Sequence, residues 1–336
     1  MRSLRALIGL WLLAAALPTP AEPAAKNTEN RRFTLGVATW FSTGDTHFAH
    51  DSSAVDPLLG NPTSQLDYSG LDSTVIELHA EVRLPWRMSL SGRTGVGSIS
   101  GGTLLDDDFL SAQGAMVYGS SVTGAHRFSR TESQVEDNDL DYLELGLSRH
   151  LLSRKKPRRS RLKLFGSARS WSENRVATGL QQIECTTSSL CIPPGPPIPG
   201  LVGVPVIAES SEWFVGLVGL EGEWSSERRF ELTWRLGFGF AEVETDDIHF
   251  LRADLAQDPS FRWTGDGPAF ELGFTGSYRL SPRFHLGLGY RMWKARADDG
   301  LLAQFDVMGG VGTAPLLEYE SRRDGMFVNL EYRSNR

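Results

Sequence analysis

The chain has 336 residues, a formal net charge of -7, 35 Gly, 9 Trp and only two Cys. After the first twenty residues no stretch of 18 uninterrupted apolar residues occurs, so helical membrane spans are not expected. Basic residues are scattered or gathered in short turns, and nothing in their spacing supports a nucleic-acid partner.

In chain order, Arg2 and Arg5 precede an apolar run from Ala6 to Leu17, followed by Pro and Ala. This has the form of a secretory signal peptide over residues 1–25, with cleavage expected near Ala21 or Ala25. No Cys follows the apolar run, so a lipid-modified amino terminus is not expected. Residues 26–336 then read as one exported domain.

That domain is a series of alternating segments. In "STVIELHAEVRLPW", Thr74, Ile76, Leu78, Ala80, Val82 and Leu84 alternate with Glu77, His79, Glu81 and Arg83. In "RRFELTWRLGFGFAEVE", Phe230, Leu232, Trp234, Leu236, Phe238 and Phe240 oppose Glu231, Thr233, Arg235 and glycines. "PAFELGFTGSYRL" and "FHLGLGYRMW" repeat the pattern. A period of two marks strands, and a long aromatic face opposite a small polar one suits lipid on one side and a polar lumen on the other.

Ten such strands are expected, near residues 31–41, 72–84, 88–99, 139–151, 160–171, 212–225, 229–243, 268–280, 284–297 and 324–333. The phase of the sixth is ambiguous, with apolar residues on both faces. Short connections alternate with long polar ones, as in an all-β, ten-stranded antiparallel transmembrane β-barrel with tight turns at one end and long extracellular loops at the other. A soluble β-sandwich also alternates, but its strands usually run about five or six residues. Trp40, Trp86, Trp171, Trp224 and Trp293, near strand ends, are expected to form interfacial girdles. Tyr332 is followed by "RSNR", whereas such barrels commonly end on an aromatic residue.

A ten-stranded barrel is narrow, and inward Glu77, Glu81, Arg83, Arg93, Glu144, Arg235, Glu271, Arg279 and Arg291 are expected to pair across it. A small-solute channel is therefore disfavoured, and function belongs to the loops and the barrel mouth. Cys185 and Cys191 lie in one Pro-rich loop, where an exported protein favours a local disulfide; a metal site is the alternative, for which the loop offers too few further ligands. "GRTGVGSISGG" is not followed by a helical pattern and does not read as a nucleotide loop.

Two clusters of ionisable residues remain. Asp106, Asp107 and Asp108 follow the third strand, and Asp246, Asp247 and His249 follow the seventh. If the strands continue above the membrane, Asp106 shares a face with Asp108 and Asp247 with His249. Asp247 then orients the imidazole to take a proton from water, while two close carboxylates share a proton and hold that water. The competing reading is a solvated acidic loop, the common fate of such clusters.

These residues resemble the omptins, outer-membrane endopeptidases on ten-stranded barrels with a D-x-D-aromatic motif after the third strand and a D-x-H-aromatic motif after the seventh. Here they read Asp106-Asp107-Asp108-Phe109 and Asp247-Ile248-His249-Phe250, and "SQLDY", Ser64 to Tyr68, resembles the omptin segment entering the second strand. The resemblance in element order runs from about residue 31 onward, with motif identity confined to these three stretches. It implies a water-activating role for Asp106, Asp108, Asp247 and His249, with no metal or organic cofactor.

It further implies contact with outer-membrane lipid, lipopolysaccharide as a possible requirement for activity, peptide or protein substrates, and a monomer in the outer membrane of a Gram-negative-type bacterium with its site facing outward. Omptins read basic residues through acidic ones, one of them two positions before the motif's Asp. Thr245 stands there, so Glu244, Asp246 and, in the first loop, Asp45 are the candidates for substrate binding. Around "LFGSARSWSENR" the family's lipopolysaccharide patch has no match, although Arg169 and Arg175 are basic. The alternative function is a non-catalytic barrel of the same build whose loops bind or adhere.

Overall fold

The computed structural model describes residues 33–120, 126–136, 138–154, 159–226 and 229–334. The expected signal peptide lies outside them. Twelve strand segments are formed: β1 (Phe33–His50), β2 (Leu59–Leu84), β3 (Met88–Leu110), β4 (His126–Val135), β5 (Asn138–Arg154), β6 (Arg159–Cys185), β7 (Pro205–Ser225), β8 (Phe230–His249), β9 (Phe261–Arg279), β10 (Phe284–Ala297), β11 (Asp299–Phe305) and β12 (Val311–Arg333). A short helix, α1 (Ala112–Val117), follows β3.

All pairings are antiparallel, and β1 pairs with both β2 and β12, so the sheet closes on itself. β3 pairs with β5 along its lower part and with β4 along its upper part, and β6 does the same on the other side. β10 and β11 likewise share β9 and β12 as neighbours. Each of these two pairs is one barrel strand with a break, so the barrel wall has the expected ten.

The strands are much longer than the alternating segments suggest. β2 has 26 residues and β6 has 27, whereas a tilted strand needs about 9–11 to cross the hydrocarbon layer. The surplus rises above the apolar belt, so much of what reads as long polar loop is strand. The belt shows in the outward residues: Ile76 is 53% and Phe238 56% exposed, with Leu35, Val37, Leu143, Leu145, Leu288 and Val328 similarly placed. Above it the outward face turns polar, as on β12, where Glu318, Glu320, Arg322 and Asp324 continue the row begun by Met326, Val328 and Leu330.

The lumen is filled. Glu144 binds Arg169 and, at 2.7 Å, Arg235; Glu271 binds Arg169 and Arg235; Glu77 takes Arg291 at 2.7 Å and the Tyr142 hydroxyl. A cavity of about 250 Å³ lies among these charges toward the tight-turn end. Gly95 is needed here, because a Cβ at that position would run into the Tyr142 ring.

Above the charges sits an aromatic plug that overturns part of the girdle expectation. Trp40, Trp171 and Trp293 point into the barrel and are fully buried. Trp293 packs on Trp40 and on Tyr142 at 4.7 Å each and on Trp171 at 5.9 Å. Trp213 continues the stack to Tyr319, and Tyr319 to Phe48 and Trp263. Strand parity explains the placement: Trp40 shares its face with Gly36, Ala38 and Ser42, and Trp293 shares its face with Arg291. Trp86, 84% exposed, instead sits in the β2–β3 turn, where it and Arg87 adopt positive φ of 57° and 64°. The ambiguous sixth strand, β7, has apolar residues on both faces because its inward Trp213, Val215 and Leu217 belong to this interior packing while Val218 and Leu220 face outward.

Candidate active site

The extended strands carry both ionisable clusters above the apolar belt and turn them toward each other. On β3, Asp106 and Asp108 share the inward face, with the Ser64 hydroxyl reaching Asp106 Oδ1 at 3.5 Å. Asp107 takes the opposite face, held by the Arg130 guanidinium at 2.5 and 2.7 Å with Arg127 at 3.5 Å.

Across the mouth, on β8, Asp247 is buried and its Oδ2 accepts the His249 Nε2–H at 2.9 Å. The turn after β8 fixes this pair from behind. The Ser260 N–H donates to the Asp247 carbonyl at 2.7 Å, and the Ser260 hydroxyl accepts the His249 N–H at 3.0 Å. The Phe261 ring meets the imidazole edge-on at 4.9 Å. With Nε2–H given to Asp247, Nδ1 is the imidazole's basic atom.

Three of the four groups are shifted by burial and by their neighbours. Burial, followed by the Asp108 charge, pushes Asp106 up to about 8, and burial raises Asp108 to about 6 against the pull of His249. Burial works against the charged form of His249, but Asp247 and Asp106 outweigh it and raise the imidazole above its ordinary value. Asp247 Oδ1 has no hydrogen-bond partner among the described residues.

The substrate-reading candidates are not brought to this cleft. Glu244 and Asp246 lie on the outer face of β8, where Arg262 holds Asp246 at 2.5 and 2.7 Å, and Thr245 is the residue that points inward. Asp45 is exposed on the outer face of β1, near the Gly70 N–H. The reason is parity: each stands one residue out of phase with the inward set.

Beneath the cleft lies a network that composition alone does not reveal. Arg175 binds Thr46 and Glu209, and the Tyr319 hydroxyl donates to Glu209 at 2.6 Å. Tyr68, buried and with an unpartnered hydroxyl, feels Glu209 and Asp247. The strand parity of Leu66 and Tyr68 is the signal that would have found this floor. At the rim, Cys185 and Cys191 form a disulfide, and Cys185 lies opposite Ser129, itself opposite Asp108. The pinned loop therefore starts at the level of the candidate site.

No family model and no curated sequence matches the chain. Among solved structures it is similar to the crystal structure of the outer membrane protease OmpT from Escherichia coli, with a TM-score of 0.70 at 13% identity over 93% of this chain and 99% of that one. Its fold is that of an omptin. The translocator domain of the autotransporter NalP from Neisseria meningitidis aligns at a TM-score of 0.36 and 11% identity, over 98% and 96% of the two chains. With its outward apolar belt, this omptin-like barrel is built for the outer membrane, and at such low identity the relation is distant.

Proposed function

We propose that this barrel is an outer-membrane endopeptidase that cleaves peptides or exposed protein segments with an activated water, its mouth facing the cell exterior. The observation that carries the reading is the convergence of Asp106 and Asp108 with Asp247 and His249 from opposite walls. In this scheme His249 Nδ1 takes a proton from the water, whose oxygen attacks the scissile carbonyl carbon. Asp247 holds the imidazole in orientation and offsets the charge it acquires. The Asp106–Asp108 pair, sharing a proton, holds the water from the other side. On collapse the proton passes from His249 to the leaving amine.

Preference for Arg or Lys is not part of the proposal, since Asp45, Glu244 and Asp246 face away and Glu209 is already engaged by Arg175. Lipopolysaccharide is proposed as a lipid partner of the barrel, and the monomer as its working form. The test is a diverse peptide library read by mass spectrometry, with native protein and its His249→Ala form reconstituted in lipopolysaccharide. Cleavage by the native protein alone is expected. Equal cleavage by both would end the role given to His249, and cleavage by neither folded barrel would favour a loop-mediated binding protein.

A further inference from the structure

His50 takes no part in that scheme, yet it stands on the same wall as the two acids. Residues directly opposite one another in an antiparallel pair share a face. His50 lies opposite Ser64, and Ser64 opposite Asp108, in one row across β1, β2 and β3. Ser64 points inward, toward Asp106. His50 therefore faces the mouth beside the acid pair, two inter-strand spacings or about 10 Å of backbone from Asp108.

Its side chain is only 8% exposed, held against Phe48 at 5.6 Å, and Phe48 stacks on Trp263 at 4.2 Å. Nδ1 has no hydrogen-bond partner among the described residues. Burial, then the His249 charge, pulls the imidazole down to about 4 against the opposing effect of Asp51, so the ring is neutral and keeps one N–H at neutral pH.

The site needs such a group. Ionised carboxylates only accept hydrogen bonds, so Asp247 cannot steady negative charge on a substrate oxygen, and the Asp106–Asp108 pair has one proton to give. The Ser64 hydroxyl is directed at Asp106, and the Arg252 guanidinium, the cation felt by Asp108, is bound to Asp254 at 2.6 and 2.8 Å. A neutral imidazole in the row of Ser64 and Asp108 brings an N–H donor to this wall without adding a second positive charge beside His249.

We propose that His50 is a further catalytic residue, whose imidazole N–H donates a hydrogen bond to the scissile carbonyl oxygen as it becomes an oxyanion. This rests on the hydrolytic reading of the site. The water oxygen bonds to the carbonyl carbon, its proton goes to His249, and the carbonyl π pair moves onto the oxygen that His50 holds. When the C–N bond breaks the carbonyl re-forms, and the amine leaves with the proton from His249. His50 keeps its own proton throughout.

The experiment compares kcat and KM of native protein, His50→Ala and His50→Gln in lipopolysaccharide, on a peptide the native protein cleaves, with folding checked by heat-modifiable gel mobility. Losing an oxyanion donor lowers kcat on the order of 10²-fold or more, with KM within about threefold, and Gln, which retains an N–H donor, restores kcat to within about tenfold of native. If His50→Ala does not fold, His50→Phe fills the same space without the donor. A folded alanine or phenylalanine variant with native kcat, a loss confined to KM, or a Gln variant as impaired as Ala would overturn the assignment while native cleavage leaves the hydrolytic reading standing. A native protein that cleaves nothing overturns both.

Discussion

The lumen and the mouth of this barrel are both lined with carboxylates, and they differ in what stands against them. In the lumen Arg169 is shared by Glu144 and Glu271, Arg291 is given to Glu77, and Arg323 meets Glu173 at 2.9 Å. At the mouth Asp106, Asp108 and Asp247 face a histidine, a serine hydroxyl and one another, and Arg252, the cation that Asp108 feels, is bound to Asp254. Buried charge that is matched by a cation holds strands together. Charge left to share protons is poised for chemistry, at a cost to the stability of the folded state.

The sharpest way to break this contrast is to remove one group from each region. Replacing Asp106 and Asp108 together with Ala is expected to lower kcat by about 10²-fold to 10⁴-fold, the usual reach of acid–base groups, while the barrel keeps its heat-modifiable mobility. Arg169→Ala is expected to do the reverse. Glu144 and Glu271 keep Arg235 but lose the more buried of the two cations they share, which costs up to about 3–5 kcal/mol of unfolding free energy in the reconstituted barrel, while the folded fraction retains its kcat. A stable Arg169→Ala barrel, or a mouth variant that unfolds, would erase the distinction.

The pH profile probes the mouth alone. Below about 6 Asp108 is protonated as well as Asp106, and no carboxylate of the pair remains to accept from the water. Above about 8 Asp106 also ionises, the shared proton is lost and the two charges repel. kcat/KM should therefore rise on the acid side, where His249, raised above its ordinary value, must also lose its proton to act as the base, and fall through the upper value; the acid limb should persist in Asp108→Asn, and a profile level from pH 5 to 9 would contradict it.

Smaller effects belong to the rim and the outer wall. The Cys185–Cys191 bridge closes a short ring, with a sequence separation of 6, worth about 2 kcal/mol by loop-closure entropy and confined to its own loop. Reduction should speed proteolysis of residues 186–204 without changing the barrel's melting. Smallest of all, Glu244→Gln and Asp246→Asn should leave the cleavage pattern intact and kcat/KM within about twofold, as expected for exposed charges on the far face of a strand.

The alternation that forms the barrel was legible because lipid tolerates no polar residue on the outward face, which leaves a strict period in β2, β8 and β10. The same parity sets Asp106 with Asp108, and Asp247 with His249, on shared inward faces. Above the belt that discipline ends: the outward face turns polar and the inward face of the β1–β2 and β7–β8 extensions mixes Phe48, Leu66, Tyr68 and Val243 with Thr46, Glu209 and Asp247, so strand reads as loop and the phase that turns Glu244, Asp246 and Asp45 outward is hidden. Trp40, Trp171 and Trp293 lie near strand ends, as girdle residues do, but strand parity decides their direction and turns them inward. His50 was missed because its meaning lies in a cross-strand row that only the register of β1, β2 and β3 reveals.

The aromatic plug gives the molecule an intrinsic optical signal. Trp40, Trp171, Trp213 and Trp293 come from β1, β6, β7 and β10, yet Trp40 and Trp171 lie 4.7 and 5.9 Å from Trp293, and Trp213 lies 6.1 Å from Trp171. Indoles this close couple as chromophores only when strands remote in sequence have come together. Near-ultraviolet circular dichroism of the unlabelled protein should therefore report the moment the wall closes, separately from the earlier appearance of strand.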